Sequence, residues 1–444
     1  MKSWIYRLMC LGVVGQLLSC SNENYREQVA NPDWLHRSVQ QLTDVIVHDI
    51  FSPPVASRIY AYSSIAAYEV VALSNPEYRS LAGQLNELQP INVNIPSQYY
   101  MPLAAVHAYL TVGKKLVFSE DRIEAFQQRL YKEIEEIGMP KQVYKNSLAV
   151  GQAVAEHIIA WADKDHYKET RSAPKFTVTT AAGRWRPTPP AYMDAVEPHW
   201  NQIRPFLLQR ADQFAPPPPP AFSTDTASLF YKEAYEVYRI SKQLTEEQKE
   251  IANFWDCNPY KVDLNGHVMY ATKKITPGGH WIGIASIASR TAKDSFEKAA
   301  ETYAWVAIGL ADAFISCWDE KYRSVLLRPE TYINEYIDKS WVPLLQTPPF
   351  PEYTSGHSVV SGAAGEILTH LYGDTFFYTD TTEVRYGLPA RSYNSFRQAS
   401  SEASISRVYG GIHYTPAVRN GLEQGKQIGA YIIAHLQTRS RKRQ

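Results

Sequence analysis

Apolar residues recur at helical rather than strand spacing along most of this chain. Between Trp34 and Phe51 they fall at Leu35, Val39, Leu42, Val45, Ile46 and Ile50, close to a 3.6-residue period. Pro53-Pro54 breaks the pattern, and further helices are expected over 56–73, 101–118, 120–137 and 141–162. Period-two alternation is scarce throughout, so the fold class is all-α.

Residues 165–224 differ in character. Trp185-Arg186-Pro187-Thr188-Pro189-Pro190 and the run Pro216 to Pro220 are extended or polyproline segments. They carry Trp185, Tyr192, Trp200, Phe206, Phe214 and Phe222, which suits a strap packed over helices better than a disordered linker. Helices resume at 228–242 and again from Thr245, where Glu247 sits near a capping-box position. Residues 261–277 are less regular, with room for a short hairpin. Helices are then expected over 278–292, 295–318, 395–409 and 416–436. The division that results is an N-terminal helical half over 20–224, which includes the strap, and a C-terminal bundle over 225–444. The basic tail, Arg439 to Arg443, reads as a solvated end.

Lys+Arg and Asp+Glu both number 45, so nothing global points to nucleic acid or to an anionic membrane. The N-terminus reads as an export signal. Lys2 and Arg7 precede an apolar run from Leu8 to Leu18, followed by Ser19-Cys20. Cysteine at the cut resembles a lipobox, so 1–19 is expected to be removed and Cys20 lipidated. The protein would then be periplasmic or anchored at the outer membrane, touching membrane only through its lipid. Cys257 and Cys317 remain, either bonded to each other or as two free buried thiols. No sequence feature demands an oligomer.

The chemistry gathers in three places. Lys321 and Arg328 are seven residues apart and, if helical, lie two turns apart on nearly one face. Pro329 is expected to end that helix and leave Arg328 at its terminus. Next, Pro349-Phe350-Pro351-Glu352-Tyr353-Thr354-Ser355-Gly356-His357 leads into a helical run. Ser355 is a good N-cap, the helix start offers free N–H groups to an anion, and Gly356 allows close approach to the backbone. Last, Ser406-Arg407 is followed by Gly410-Gly411-Ile412-His413, where the glycine pair lets the chain turn. Three cations, a helix N-terminus and two histidines describe a pocket for a tetrahedral oxyanion.

Lys-x6-Arg-Pro (321–329), Ser-Gly-His (355–357) and Ser-Arg-x5-His (406–413) resemble the signature of the type-2 phosphatidic acid phosphatase and vanadium haloperoxidase superfamily. Phe254-Trp255, Gly279-His280-Trp281, the Trp-Arg-Pro-Thr-Pro-Pro run and Pro348 to Pro351 look like its haloperoxidase branch. Ala56 to Ala61 looks like bacterial members. The resemblance implies two helical bundles, a site in the C-terminal one, vanadate as cofactor, and hydrogen peroxide and halide as substrates. By the same likeness His413 would be the nitrogen ligand of vanadate. Lys321, Arg328 and Arg407 would neutralise its oxygens, Ser355 and Gly356 would donate to them, and His357 would be the acid–base group. Trp318 and Phe350 match apolar positions of the halide pocket, and Tyr260 and Asp319 would border it. Iodide, the easiest halide to oxidise, is expected first and bromide next.

Two departures stand out. Thr354 occupies the usual proline position before Ser-Gly-His, which is expected to loosen the turn. Ala417 stands where the family often has an aspartate that orients the last histidine, leaving that task to a carbonyl or a side chain from elsewhere. One rival reading is a non-enzymatic helical lipoprotein that binds oxyanions or a partner, against which the intact residue set argues; the other is an acid phosphatase with His413 as nucleophile. The missing aspartate and the haloperoxidase-like aromatics weigh against it.

Overall fold

The computed structural model describes residues 24–265, 268–271 and 273–440. The export segment 1–19 and Cys20 lie outside them.

The N-terminal part holds α1 (Asn24–Val29), α2 (Asp33–His48), α3 (Pro53–Ser74), α4 (Met101–Leu116), α5 (Glu120–Glu136), α6 (Lys141–Ala162) and the short α7 (Tyr167–Ser172). After the Pro-rich strap come α8 (Leu229–Ser241) and α9 (Glu246–Phe254). They are followed by α10 (Pro277–Ala292), α11 (Phe296–Ser324), α12 (Pro329–Tyr336), α13 (Gly356–Tyr372), α14 (Phe396–Tyr409) and α15 (Thr415–His435). Two small antiparallel hairpins, β1 (Val262–Asn265) with β2 (Val268–Ala271) and β3 (Tyr378–Asp380) with β4 (Arg391–Tyr393), are the sheet structure of the described residues. The first fills the irregular stretch before α10. None of the described helices is long and apolar enough to cross a membrane.

The helices start where local chemistry tells them to. Ser52 accepts from the Val55 N–H at 3.3 Å ahead of Pro53, and Ser295 caps α11 from Lys298 N–H. At α9 the capping box closes between Thr245 and Gln248, not Glu247. Gln248 is the third helical residue and can reach back, while Glu247 pairs with Arg391.

α3, α4 and α6 pack together, and α11 lies between α3 and α13. α13 is flanked by α14 and α15. One apolar cluster runs through all of these, from Tyr25 to Leu436. α13 and α15 touch backbone to backbone: a Cβ on Gly425 would collide with the Val359 carbonyl oxygen, so no larger residue fits there. That contact fixes the start of α13, whose Ser355 N–H donates to the Ala417 carbonyl at 3.1 Å.

The strap is packed at Trp185, Trp200 and Phe206, each about 1% exposed, whereas Tyr192 points to solvent. Asp312 of α11 takes the backbone N–H groups of Phe206, Leu207 and Leu208 at 2.6, 2.8 and 3.0 Å. Asp165 binds Arg58 at 2.5 Å and Tyr62 at 2.9 Å, tying the strap's start to α3.

Two sequence expectations change. α11 ends at Ser324, with Val325 in the left-handed region at φ 48°, so Arg328 is not at the end of that helix. Pro329 instead opens α12, because proline's fixed φ and missing N–H suit a first helical turn, and Arg328 precedes it in extended backbone. The tail is also not wholly free: Arg439 pairs with the buried Glu301 at 2.8 Å and lies over Tyr78.

Candidate active site

A narrow cleft opens between the start of α13, the end of α14 and the loops after α9 and before α10. Gly356, His357, Arg407, His413, Trp318, Phe350 and Tyr260 line it, and Cys257 and Asn258 complete one wall. A wider groove beneath Pro216 to Phe222 contains none of the expected site residues.

His413 sits between the Gly410-Gly411 turn and α15. Gly411 has φ 76°, the left-handed conformation that the turn requires. The ring's Nδ1 is 2.8 Å from Glu352 Oε1, and Nε2 is 3.0 Å from Arg328 Nη1. Glu352 accepts from Nδ1–H and Arg328 donates to Nε2, so the tautomer is set and the Nε2 lone pair faces the cations. Burial, then Arg328, Lys321 and Arg407, hold the imidazole well below its ordinary range, so it is neutral. Glu352 Oε1 also accepts from the Tyr414 N–H at 3.0 Å. Two donors on one oxygen suit a carboxylate, although burial pushes the acid up to about 7 against the pull of Arg328 and Lys321.

This is the group that the Ala417 position left open. Glu352 lies 61 residues before His413 and reaches it only through the fold. The signal was present: a glutamate amid an apolar, Pro-rich approach to a buried helix start.

Arg328 is fully buried. It donates from Nε to the Phe350 carbonyl and from Nη1 to the Ile412 carbonyl, both at 2.9 Å, while Nη2 has no partner. Arg407 donates from Nη1 to the Trp255 carbonyl at 2.7 Å, and its Nε is likewise buried without a partner. The same holds for His357 Nε2 and for the hydroxyl of Ser358, a residue the sequence did not single out. Burial first, then Arg407 and His280, push His357 well below its usual range. Ser355 caps α13 by accepting from Ser358 N–H at 3.4 Å, so its own hydroxyl proton is still available to donate.

Lys321 behaves differently from the expected oxyanion donor. Its Nζ donates to the carbonyls of Pro351, Glu352 and Thr354 at 2.9, 3.0 and 2.5 Å, so it braces the approach to α13 with all three N–H groups. Burial pushes the ammonium down to about 7. Thr354 does not leave a loose turn: its hydroxyl donates to Gln424 Oε1 at 2.8 Å.

Trp318 and Phe350 meet at 5.0 Å between ring centroids and form the apolar side. Tyr260 lines the rim, and burial raises its phenol. Asp319 faces away from the cleft. It accepts from Asn201 at 3.1 Å and lies 3.5 Å from Arg323, because the residue after Trp318 on α11 points toward the strap. Cys257 and Cys317 are both free and buried.

Three buried basic side chains thus converge here, and four of the site's buried donor or basic atoms, Arg328 Nη2, Arg407 Nε, His357 Nε2 and the Ser358 hydroxyl, lack partners, as does the acceptor Glu352 Oε2. A buried excess of positive charge is costly unless an anion balances it. A Cβ on Gly356 would come within 3.6 Å of Trp318, occupying space now left open. These donors, with the lone pair of His413 Nε2, fit a vanadate-type oxyanion that takes one nitrogen ligand.

The comparisons agree with this chemistry. The family described as the VCPO second helical-bundle domain matches residues 301–442. The crystal structure of the first bacterial vanadium-dependent iodoperoxidase is 52% identical, with a TM-score of 0.88, over 93% of this chain and 99% of that one. Holo-type bacterial vanadium-dependent chloroperoxidase has the same fold at 16% identity and TM-score 0.66, covering 87% of this chain and 94% of its own. The apo-type structure gives 15% and 0.65, over 86% and 95%. No curated protein sequence matches. The chain belongs to the vanadium-dependent haloperoxidases. Within that family, the solved iodoperoxidase is similar to it along almost its whole length.

Proposed function

We propose that this enzyme uses vanadate to oxidise iodide with hydrogen peroxide, the net reaction being H2O2 + I⁻ + H⁺ → HOI + H2O. One observation carries the chemistry: a neutral His413, its Nδ1–H held by Glu352, turns Nε2 toward Arg328 Nη1 in a cleft where Arg328 and Arg407 each keep a buried nitrogen without a partner. The halide rests on likeness to the iodoperoxidase and on iodide being the easiest to oxidise; bromide comes second.

When bound, vanadate supplies a Lewis-acidic centre that polarises peroxide without changing its own oxidation state. His413 Nε2 would hold it. Arg328 Nη2 and Arg407 Nε would neutralise its charge, with the Ser355 hydroxyl and Gly356 N–H donating alongside. Lys321 adds positive charge and occupies the Pro351, Glu352 and Thr354 carbonyls. His357, neutral at ordinary pH, takes a proton at Nε2 from incoming peroxide and returns one as hypohalous acid leaves. Trp318 and Phe350 keep the halide side dry.

A phosphatase would use the same His413 as nucleophile. The near full-length likeness to an iodoperoxidase favours oxidation. Vanadate titration of His413→Ala and Arg407→Ala tests the reading: both should lose binding, and unchanged affinity in either would contradict it.

Export and lipidation at Cys20 complete the proposal, supported by the Leu17-Leu18-Ser19-Cys20 sequence. Palmitate labelling should vanish in Cys20→Ser, and label that persists would refute it.

A further inference from the structure

Beside the cleft lies a second cluster, which the oxidation chemistry does not use. Cys257, His280 and Glu383 are buried together, brought from the loop after α9, the first turn of α10 and the turn after β3. Cys257 Sγ is 3.4 Å from His280 Nδ1 and 3.8 Å from Glu383 Oε1, and the last two atoms are 3.5 Å apart. We propose that these three side chains bind a zinc ion that clamps one wall of the cleft.

The distances support this. Zinc bonds of about 2.3 Å to sulfur and about 2.0–2.2 Å to nitrogen and oxygen, at tetrahedral angles, put donor atoms roughly 3.3–3.6 Å apart. Two of the three edges fall in that range, and the third exceeds it by a small ligand movement. Thiolate, imidazole and carboxylate form a donor set that zinc accepts.

The support around the histidine is an independent observation. Asp380 Oδ2 takes the far nitrogen, Nε2, at 2.8 Å, which leaves Nδ1 directed at the thiol and Glu383. A metal-bound histidine needs such a partner to fix its ring and tautomer. Asp380 is itself held by the Thr382 N–H at 2.9 Å and hydroxyl at 2.6 Å. Trp255 stacks on the imidazole at 4.4 Å between centroids, so the ring has little freedom to turn. The Trp255 carbonyl also receives Arg407, so the metal would steady an oxyanion-binding arginine through one stacked residue.

The experiment uses the full mature chain, stripped with a chelator, incubated with Zn²⁺, desalted and analysed for metal. One zinc per chain should be retained, with affinity at least about ten-fold lower in both Cys257→Ser and Glu383→Gln. Zinc should persist in His413→Ala, which places it outside the oxyanion cleft. Co²⁺ should give a thiolate-to-metal charge-transfer band in the wild type that Cys257→Ser abolishes. If Cys257→Ser fails to fold, the milder Glu383→Gln decides by affinity. Retention of well under one zinc by the wild type, or zinc indifferent to Glu383→Gln, would overturn the proposal and leave a hydrogen-bonded triad without an ion.

Discussion

Glu352 Oε1 lies 2.8 Å from His413 Nδ1, and through this contact a residue of the Pro-rich approach to α13 orients the ring that sits just ahead of α15. Carboxylate support of this kind typically changes ligand affinity by about 10–100-fold. Glu352→Gln keeps the shape but loses charge and one acceptor. Vanadate affinity measured by calorimetry should fall about 10–100-fold in this variant, with the fold retained. An unchanged dissociation constant would mean that the contact is only structural.

Gly356→Ala separates folding from anion binding. The added Cβ would sit 3.6 Å from Trp318, an ordinary contact, so thermal stability should barely change. The methyl enters the cleft that Gly356 lines together with Arg407 and His357, so vanadate binding should weaken by at least about ten-fold, or ~1.4 kcal/mol. A variant that melts early without losing affinity would show that the glycine serves packing alone.

Much of the fold and part of the site are legible in the amino-acid sequence. Helical periodicity and proline breaks are enough to place the helices, since both act locally within a few residues. Arg407, His413, Ser355 and Gly356 are recognisable from motif spacing. Three features are not, two of them because they depend on distant chain. Glu352 meets His413 only once the approach to α13 folds against α15. The three carbonyl acceptors of Lys321 belong to a segment 30 to 33 residues away. Pro329 is ambiguous because proline both ends and begins helices, and the left-handed Val325 decides between the two.

Asp312 tests what holds the strap. Its carboxylate is the acceptor for three consecutive backbone N–H groups, at Phe206, Leu207 and Leu208. Asp312→Ala would strand all three in a buried site, at a cost of roughly 3 kcal/mol or more. The melting temperature should drop clearly while the far-ultraviolet helical signal survives at low temperature. No drop would mean that the strap finds other acceptors.

His36 gives a pH signature independent of the site. Its Nδ1 meets Tyr303 OH at 2.6 Å, and burial, aided by Arg290, lowers its pKa from 6.5 to about 4. The unfolded chain therefore takes up this proton first on acidification. The stability linked to the neutral ring is full above pH 6.5 and is lost as pH falls toward 4, on the order of 3 kcal/mol in all. In His36→Phe the difference in melting temperature from wild type should shrink across that window. A difference that stays constant with pH would refute the assignment.

The central claim is tested most directly by loading the purified mature protein with orthovanadate and following triiodide formation in iodide and hydrogen peroxide, beside p-nitrophenyl phosphate hydrolysis by the vanadate-free protein. Iodide oxidation that requires vanadate and disappears in His413→Ala is the predicted result. Phosphate ester hydrolysis inhibited by vanadate, with no iodide oxidation, would contradict it.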